Sequence, residues 1–244
     1  MSPEEYRKRI REVLVSLSPA APPAEAMNYS VFGYWLLDPL IERVSGRAFA
    51  DLAHERLFGP LGMADTWLVV PESVRPRIAR RPSDAPWAQP LGPLPGLGSS
   101  LHQAIADPGG GVYSTARDVA VFGQMFLNGG TYGSARILSR AAVAEMTRNQ
   151  IPGIPVQLGP TRGREASYGY GWFLRSNEKW RYWDGSLQSL GEFHHQGGAG
   201  TLLWVDPPNE IVGVYLSVSR RMTPAFEPIW SADLFQNVVT SAVR

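Results

Sequence analysis

Lysine stands at only two places in this chain of 244 residues, Lys8 and Lys179, and arginine supplies the rest of its 23 basic side chains. A serine hydroxyl becomes a nucleophile when a base takes its proton, and a lysine amine one helical turn away is such a base. The chain holds one Ser-x-x-Lys, Ser176–Lys179 in "SNEK". It falls in a polar turn between predicted strands, whereas the scheme needs both side chains on a helix buried at the site. It therefore reads as a solvated loop. Glu5, not serine, stands three positions before Lys8. A second reactive group is the phenol of Tyr29 in "MNYSVFGYWLLDPLIE", placed just before an apolar helical run. A phenol there can pass protons if a neighbouring ammonium lowers its pKa. The third feature is "HHQGGAG", where His195 precedes Gly197, Gly198 and Gly200, and where glycines let a substrate come close to a strand.

Other chemistries are excluded. There is no cysteine, so disulfides, thiolate nucleophiles and cysteine-bound zinc are ruled out. His54, His102, His194 and His195 show no ligand spacing, and adjacent strand histidines point to opposite faces; no metal is expected. The glycines at Gly109–Gly111 and Gly197–Gly200 match neither phosphate-loop pattern, and no cofactor is expected. No Gly-x-Ser-x-Gly elbow is present, which argues against an α/β-hydrolase. A net charge of +1 gives no electrostatic case for nucleic acid. No apolar run approaches the roughly 20 residues of a membrane span. The N-terminal stretch lacks the apolar core of a signal peptide, so the compartment stays open, cytoplasmic if Met1 is the natural start.

The elements that must position these groups follow from periodicity. Pro3–Leu17 predicts a helix capped by Ser2, and Tyr34–Val44 a second, with Leu36, Leu37, Leu40, Ile41 and Val44 on one stripe. Phe49–Leu57 predicts a third, closed by Gly59 and Pro60. Pro71–Gly98, rich in proline and glycine, reads as a surface excursion. Thr115 and Asp118 have capping-box spacing ahead of a helix with Val119, Phe122, Met125 and Phe126 on one face. Ser139 caps another. From Tyr168 the pattern turns to strands, with "DPPNE" as a hairpin turn, and Ala225–Val243 predicts a final helix. Helices come first, then antiparallel strands, then a helix, which is an α+β order. Residues 1–150 read as a mainly helical lobe and 165–244 as strands plus the C-terminal helix.

Four segments in this order resemble the serine β-lactamase and penicillin-binding-protein superfamily. They are "YSVFGYWLLDPLIERVSGRAFADLAHERLFGPLGMADTWL", "GGGVYSTARDVAVFGQMFLNGGTYGSARILSRAAVAEMTRNQ", "YGYGWFL" and "GEFHHQGGAGTLLWVDPPNEIVGVYL". The "YSV" variant and the "GT-x-x-WVDP" strand are most similar to family VIII carboxylesterases. The resemblance implies a β-lactamase/transpeptidase-like fold, with a helical lobe packed beside an antiparallel sheet and flanking helices, over one domain of residues 1–244. It makes Tyr29 the proton-transfer tyrosine and puts His195, Gly197 and Gly198 on the substrate-binding strand. Penicillin-directed members more often carry asparagine where this chain has Val31, whose side chain offers no hydrogen bond, and this tilts the expectation toward a small-molecule ester over an amide.

The family's Ser-x-x-Lys lies upstream of the tyrosine motif, and residues 1–28 contain none. The expectation is a domain without its N-terminal strands and without its nucleophile. The strand near Ile211–Val218 would then be an apolar edge, covered by a homodimer, a complementing N-terminal segment or a rearranged N-terminal helix. The leading function is a serine hydrolase of the esterase type, acting through an acyl-enzyme at a Ser-Lys-Tyr site. The alternatives are an inactive binding or regulatory domain of that fold, and an acyltransferase, D-Ala peptidase or β-lactamase. The same residues have plainer readings: Tyr29 as packing at a helix entry, His195 as a strand histidine, Gly197, Gly198 and Gly200 as a bulge or tight strand approach, Gly109–Gly111 as a turn or else a substrate wall, and Trp172, Trp180 and Trp183 as core or as an acyl pocket.

Overall fold

Helix α1 (Pro3–Ser16) begins with a reciprocal cap: Glu5 N–H donates to Ser2 Oγ at 3.1 Å, and Ser2 N–H donates to Glu5 Oε2 at 2.6 Å. The computed structural model describes residues 1–19, 21–85, 88–90, 95–157, 164–176, 185–198, 200–218, 221–222, 228–229 and 231–243. Contacts divide the chain into two compact units, Met1–Ser18 with Ser30–Asp118, and Pro19–Tyr29 with Val119–Arg244.

In the first unit, Tyr6 and Ile10 of α1 pack with Trp35 and Ile105. The predicted helix over Tyr34–Val44 is in fact two, α2 (Val31–Trp35) and α3 (Leu37–Ser45). Ser30 starts α2 early by accepting from Phe32 N–H at 3.2 Å. Pro39 has no N–H to give to the Trp35 carbonyl, so the ladder breaks at Leu36. Gly46, at φ +68°, ends α3. The buried residue of α3 is Asp38, paired with Arg7 at 3.1 Å, while Leu40 and Val44 remain 55% and 80% exposed. The predicted helix over Phe49–Leu57 is α4 (Phe49–Ala53) followed by a π turn (His54–Phe58), where Gly59 N–H reaches back to the His54 carbonyl at 2.8 Å. The excursion after Pro71 contains a 3₁₀ helix (Glu72–Arg77), and a short helix α5 (Ser100–Gln103) follows. Asp118 Oδ2 ties the region down by accepting from Asp65 N–H at 2.8 Å and Thr66 Oγ1 at 2.9 Å.

Helix α6 (Ala116–Leu127) leads into the second unit. A two-stranded hairpin β1 (Thr131–Tyr132) and β2 (Ala135–Arg136) and helix α7 (Arg140–Met146), capped by Ser139, come next. The main sheet is antiparallel with four strands in chain order: β3 (Phe173–Leu174), β4 (Phe193–Gly197), β5 (Thr201–Asp206) and β6 (Ile211–Tyr215). Its register pairs His195 with Leu203 and His194 with Trp204, so the two histidines face opposite ways. A Cβ on Gly123 of α6 would lie 2.6 Å from Val212, so the glycine lets α6 sit against one face. The other face carries Leu202, Trp204 and Ile211 packed with Ala232. The "DPPNE" turn is closed by Asp206, which accepts from Asn209 N–H at 3.3 Å. The C-terminal helix α8 spans Ser231–Ser241; of the predicted Ala225–Val243, residues 225–227 and 230 lie outside the described residues. Pro228, which has no N–H to donate, lies in β8 (Pro228–Ile229), paired with β7 (Arg221–Met222). Among the described residues β6 bonds to β5 along one edge, and no strand pairs with its other edge.

Candidate active site

Tyr29 is set by its own short segment. Met27 N–H donates to the Pro155 carbonyl and Gln157 N–H to the Met27 carbonyl, both at 2.8 Å, so residues 27 and 156 bridge in parallel. Two residues on, the Tyr29 ring reaches Phe173 at 5.5 Å and His195 at 5.9 Å between centroids. Phe173 is buried with Val156 and Ala166. The structure thus brings Tyr29 and His195 together, although 166 positions separate their numbers.

His195 Nδ1 lies 2.8 Å from the carbonyl of Gln196. A carbonyl only accepts, so Nδ1 carries the proton, and in the neutral ring Nε2 is the acceptor. Gly197 follows on the same strand. A Cβ there would stand 2.3 Å from Thr201 Oγ1, so the glycine leaves room for that hydroxyl where the strand turns back. Gly200, at φ +92°, donates its N–H to the Gly197 carbonyl at 3.0 Å and completes that turn. Gly198 is exposed at the tip. Phenol, imidazole and a glycine turn therefore lie near one strand end.

Other sequence-level candidates resolve differently. Trp172 is buried in an aromatic cluster, with ring centroids 5.0 Å from Phe126 and 4.9 Å from Phe193. Trp180, Trp183 and Lys179 lie outside the described residues. The Ser176 carbonyl accepts from Arg175 Nη1 at 2.6 Å. Gly109–Gly111 do not serve a left-handed turn, since none has positive φ. Gly109 is there for close packing: a Cβ would lie 2.3 Å from Val31 Cγ2 and 2.8 Å from Trp35 Nε1. Val31 is spent on that contact.

Two polar groupings were missed by sequence reasoning. Asp107 organises the glycine loop: its Oδ1 accepts from Trp35 Nε1 at 2.8 Å and from Gly109 N–H at 2.7 Å. His102, 4% exposed, stands beside it, with Nδ1 2.6 Å from the Tyr113 hydroxyl. Burial holds the His102 pKa below its ordinary value, against the pull of Asp107 and with help from Arg81. Burial also pushes Tyr113 up to about 12. The signal in the sequence was an aspartate ahead of "PGGG", a loop-closing residue type. The second grouping lies behind β4. Glu192 is fully buried, and its Oε1 accepts from Gln188 Nε2 at 2.7 Å and Gln236 Nε2 at 2.8 Å. Burial raises its pKa, opposed by His194 and Gln188. Glutamate and histidine two apart on a strand was the signal, because such a pair shares a face. Among the described residues no group of three or more His, Asp or Glu side chains is placed to hold a metal ion.

The family model described as Beta-lactamase matches residues 2–236. The chain is 28% identical over 220 residues to penicillin-binding protein 4 of Amycolatopsis lactamdurans, covering 89% of this chain and 52% of that protein. It spans about half the length of the curated relatives it matches. Among solved structures, a family VIII carboxylesterase aligns with a TM-score of 0.73 at 20% identity, over 98% of this chain and 67% of the other. A penicillin-binding-protein homologue from Caulobacter crescentus aligns with a TM-score of 0.70 at 21% identity, over 90% and 60%. At these identities the structures establish the fold alone, a β-lactamase/transpeptidase-like arrangement of helices and antiparallel sheet.

Proposed function

Because the chain belongs to the Beta-lactamase family, we propose that it carries the tyrosine and third-motif strand of a Ser-Lys-Tyr acyl-transfer site, acting on esters. The observation that carries this reading is the Tyr29–His195 contact, with centroids 5.9 Å apart, beside the Gly197 turn. In the mechanism the resemblance implies, a serine Oγ attacks the ester carbonyl and its proton passes through the lysine–tyrosine pair to the leaving alcohol oxygen. Water then attacks the acyl-enzyme, and its proton returns by the same route to the serine. Tyr29 is the residue of this chain that moves the proton. His195 and the Gly197–Gly198 backbone form the facing wall. Val31, packed on Gly109, offers no amide-recognising hydrogen bond, which favours esters.

The nucleophile is not assigned to Ser176, whose Ser-x-x-Lys sits between strands. A serine and lysine from a complementing segment or subunit complete the site, and the edge of β6 with which no described strand pairs is where that segment or a second copy adds to the sheet. The test is complementation. Co-expression with the Ser-x-x-Lys-bearing half of a family relative should yield turnover of 4-nitrophenyl esters, and Tyr29→Phe should remove it. A complex that forms and stays inactive would favour an inactive binding domain. A second reading is favoured by the name of the Amycolatopsis relative: a site that accepts penicillin. Covalent labelling of the complemented protein by a fluorescent penicillin, with no ester turnover, would select it.

A further inference from the structure

We propose that Glu192 is a positioning residue for the Tyr29–His195 pair, acting through the rings of His194 and Phe173. The proposal rests on the reading of Tyr29 and His195 as the site's proton-handling groups. It begins from a cost. Glu192 is 0% exposed, and among the described residues its carboxylate is approached by two amides and one imidazole, with no guanidinium or ammonium paired to it. A buried carboxylate so placed is expensive, and an apolar residue of similar size would serve the core as well or better.

What the carboxylate does is join three elements. Gln188 comes from the loop before β4 and Gln236 from α8, and each donates to Glu192 Oε1. His194, 2% exposed, points its Nδ1 at the same oxygen from 3.6 Å, and Gln188 Nε2 stands 3.5 Å from that nitrogen. Asp206, also fully buried, adds its negative charge from β5. The His194 ring is thus oriented from one side by polar groups. Its flat face stacks on Phe173, with centroids 5.8 Å apart and planes 25° apart. Phe173 in turn touches Tyr29 at 5.5 Å and His195 at 5.0 Å. One buried phenylalanine therefore carries both rings of the candidate site and takes its own orientation from a histidine that Glu192 holds. Alternation along β4 gives His194 and His195 opposite faces, so the second histidine braces the first from behind.

The experiment is solution NMR of the chain labelled with ¹⁵N and ¹³C, read without substrate. In the wild type, inter-ring NOEs should link His194 to Phe173, and Phe173 to both Tyr29 and His195; absence of the Phe173–Tyr29 or Phe173–His194 NOE overturns the proposal. Glu192→Gln keeps the shape and removes the charge. It should shift the ring-nitrogen resonances of His194 and, with them, the ring resonances of Tyr29, while the Trp35 indole N–H stays in place. A mere packing role would leave the His194 nitrogens and Tyr29 unmoved, and so would contradict the relay. Phe173→Leu should move Tyr29 and weaken its NOE to His195 while the His194 nitrogens keep their wild-type values. An unchanged Tyr29–His195 NOE in that variant would also overturn it. These signals report geometry, so failure of the esterase reading shows in turnover and failure of this one shows in the spectra.

Discussion

Tyr29 and His195 meet ring to ring, with centroids 5.9 Å apart and planes inclined by 50°, and both lean on Phe173. The contact joins a residue before a helix to a residue on a sheet strand. If Tyr29 moves the proton in the complemented enzyme, Tyr29→Phe should lower kcat for a 4-nitrophenyl ester by about 10²–10⁴-fold, the usual worth of a positioned acid or base. KM should change little, because the ring and its packing remain. Steady-state kinetics on the two proteins checks this.

Gly213 makes room for Trp204. A Cβ at 213 would lie 2.0 Å from Trp204 Cζ2. Gly213→Ala should therefore cost about 1–3 kcal/mol or more, as overpacking of a fixed core does. Urea unfolding followed by tryptophan fluorescence measures it. Gly110→Ala is the contrast: nothing lies within 4 Å of that Cβ, and its φ is not positive. It should leave stability within about 1 kcal/mol of wild type or raise it slightly.

Asp107→Ala should destabilise the protein by about 2–3 kcal/mol, since a charged acceptor disappears and the Trp35 Nε1–H and Gly109 N–H lose their partner. The Trp35 indole resonance should shift in the same variant. Urea titration and that one resonance together report whether the glycine loop has come loose.

His102 gives the protein an acid-side pH dependence. Its folded pKa is held below the ordinary 6.5 by burial, so the unfolded chain binds its proton first as pH falls. Stability from this group is full above 6.5 and drains away below it, until the lowered folded pKa is passed. Between about pH 7.5 and about pH 5.5 stability should fall, by no more than the roughly 1.4 kcal/mol that one group can contribute over that window. His102→Asn retains an acceptor near the Tyr113 hydroxyl and should flatten that part of the profile. Urea midpoints of both proteins at the two pH values decide it.

What the sequence made legible was local. Ser2 and Glu5 cap α1, Ser139 caps α7, and Asp206–Glu210 closes a hairpin, all within a few residues of one another. The pairing of Tyr29 with His195 came instead from the order of segments that resemble a family, since no spacing rule links positions so far apart. The departures share a cause in contacts or in single missing donors. Pro39 splits a helix that periodicity ran together, and Pro228 delays the last one. Gly109 does lie in the predicted turn, but its second task was hidden because the side chains it must clear, Val31 and Trp35, lie far back in the sequence. Asp107 reaches Trp35 across 72 residues and Glu192 reaches Gln236 across 44, distances over which no local pattern speaks.

The central claim is that this chain holds the tyrosine side of an acyl-transfer site and that Ser176 is not its nucleophile. The most direct measurement is 4-nitrophenyl ester turnover by the purified chain alone, beside its Ser176→Ala variant. Loss of a nucleophile from such a unit costs on the order of 10⁶ in kcat, so both proteins should stay at background. Robust turnover by the chain alone, whether it survives Ser176→Ala or is abolished by it, would contradict the account.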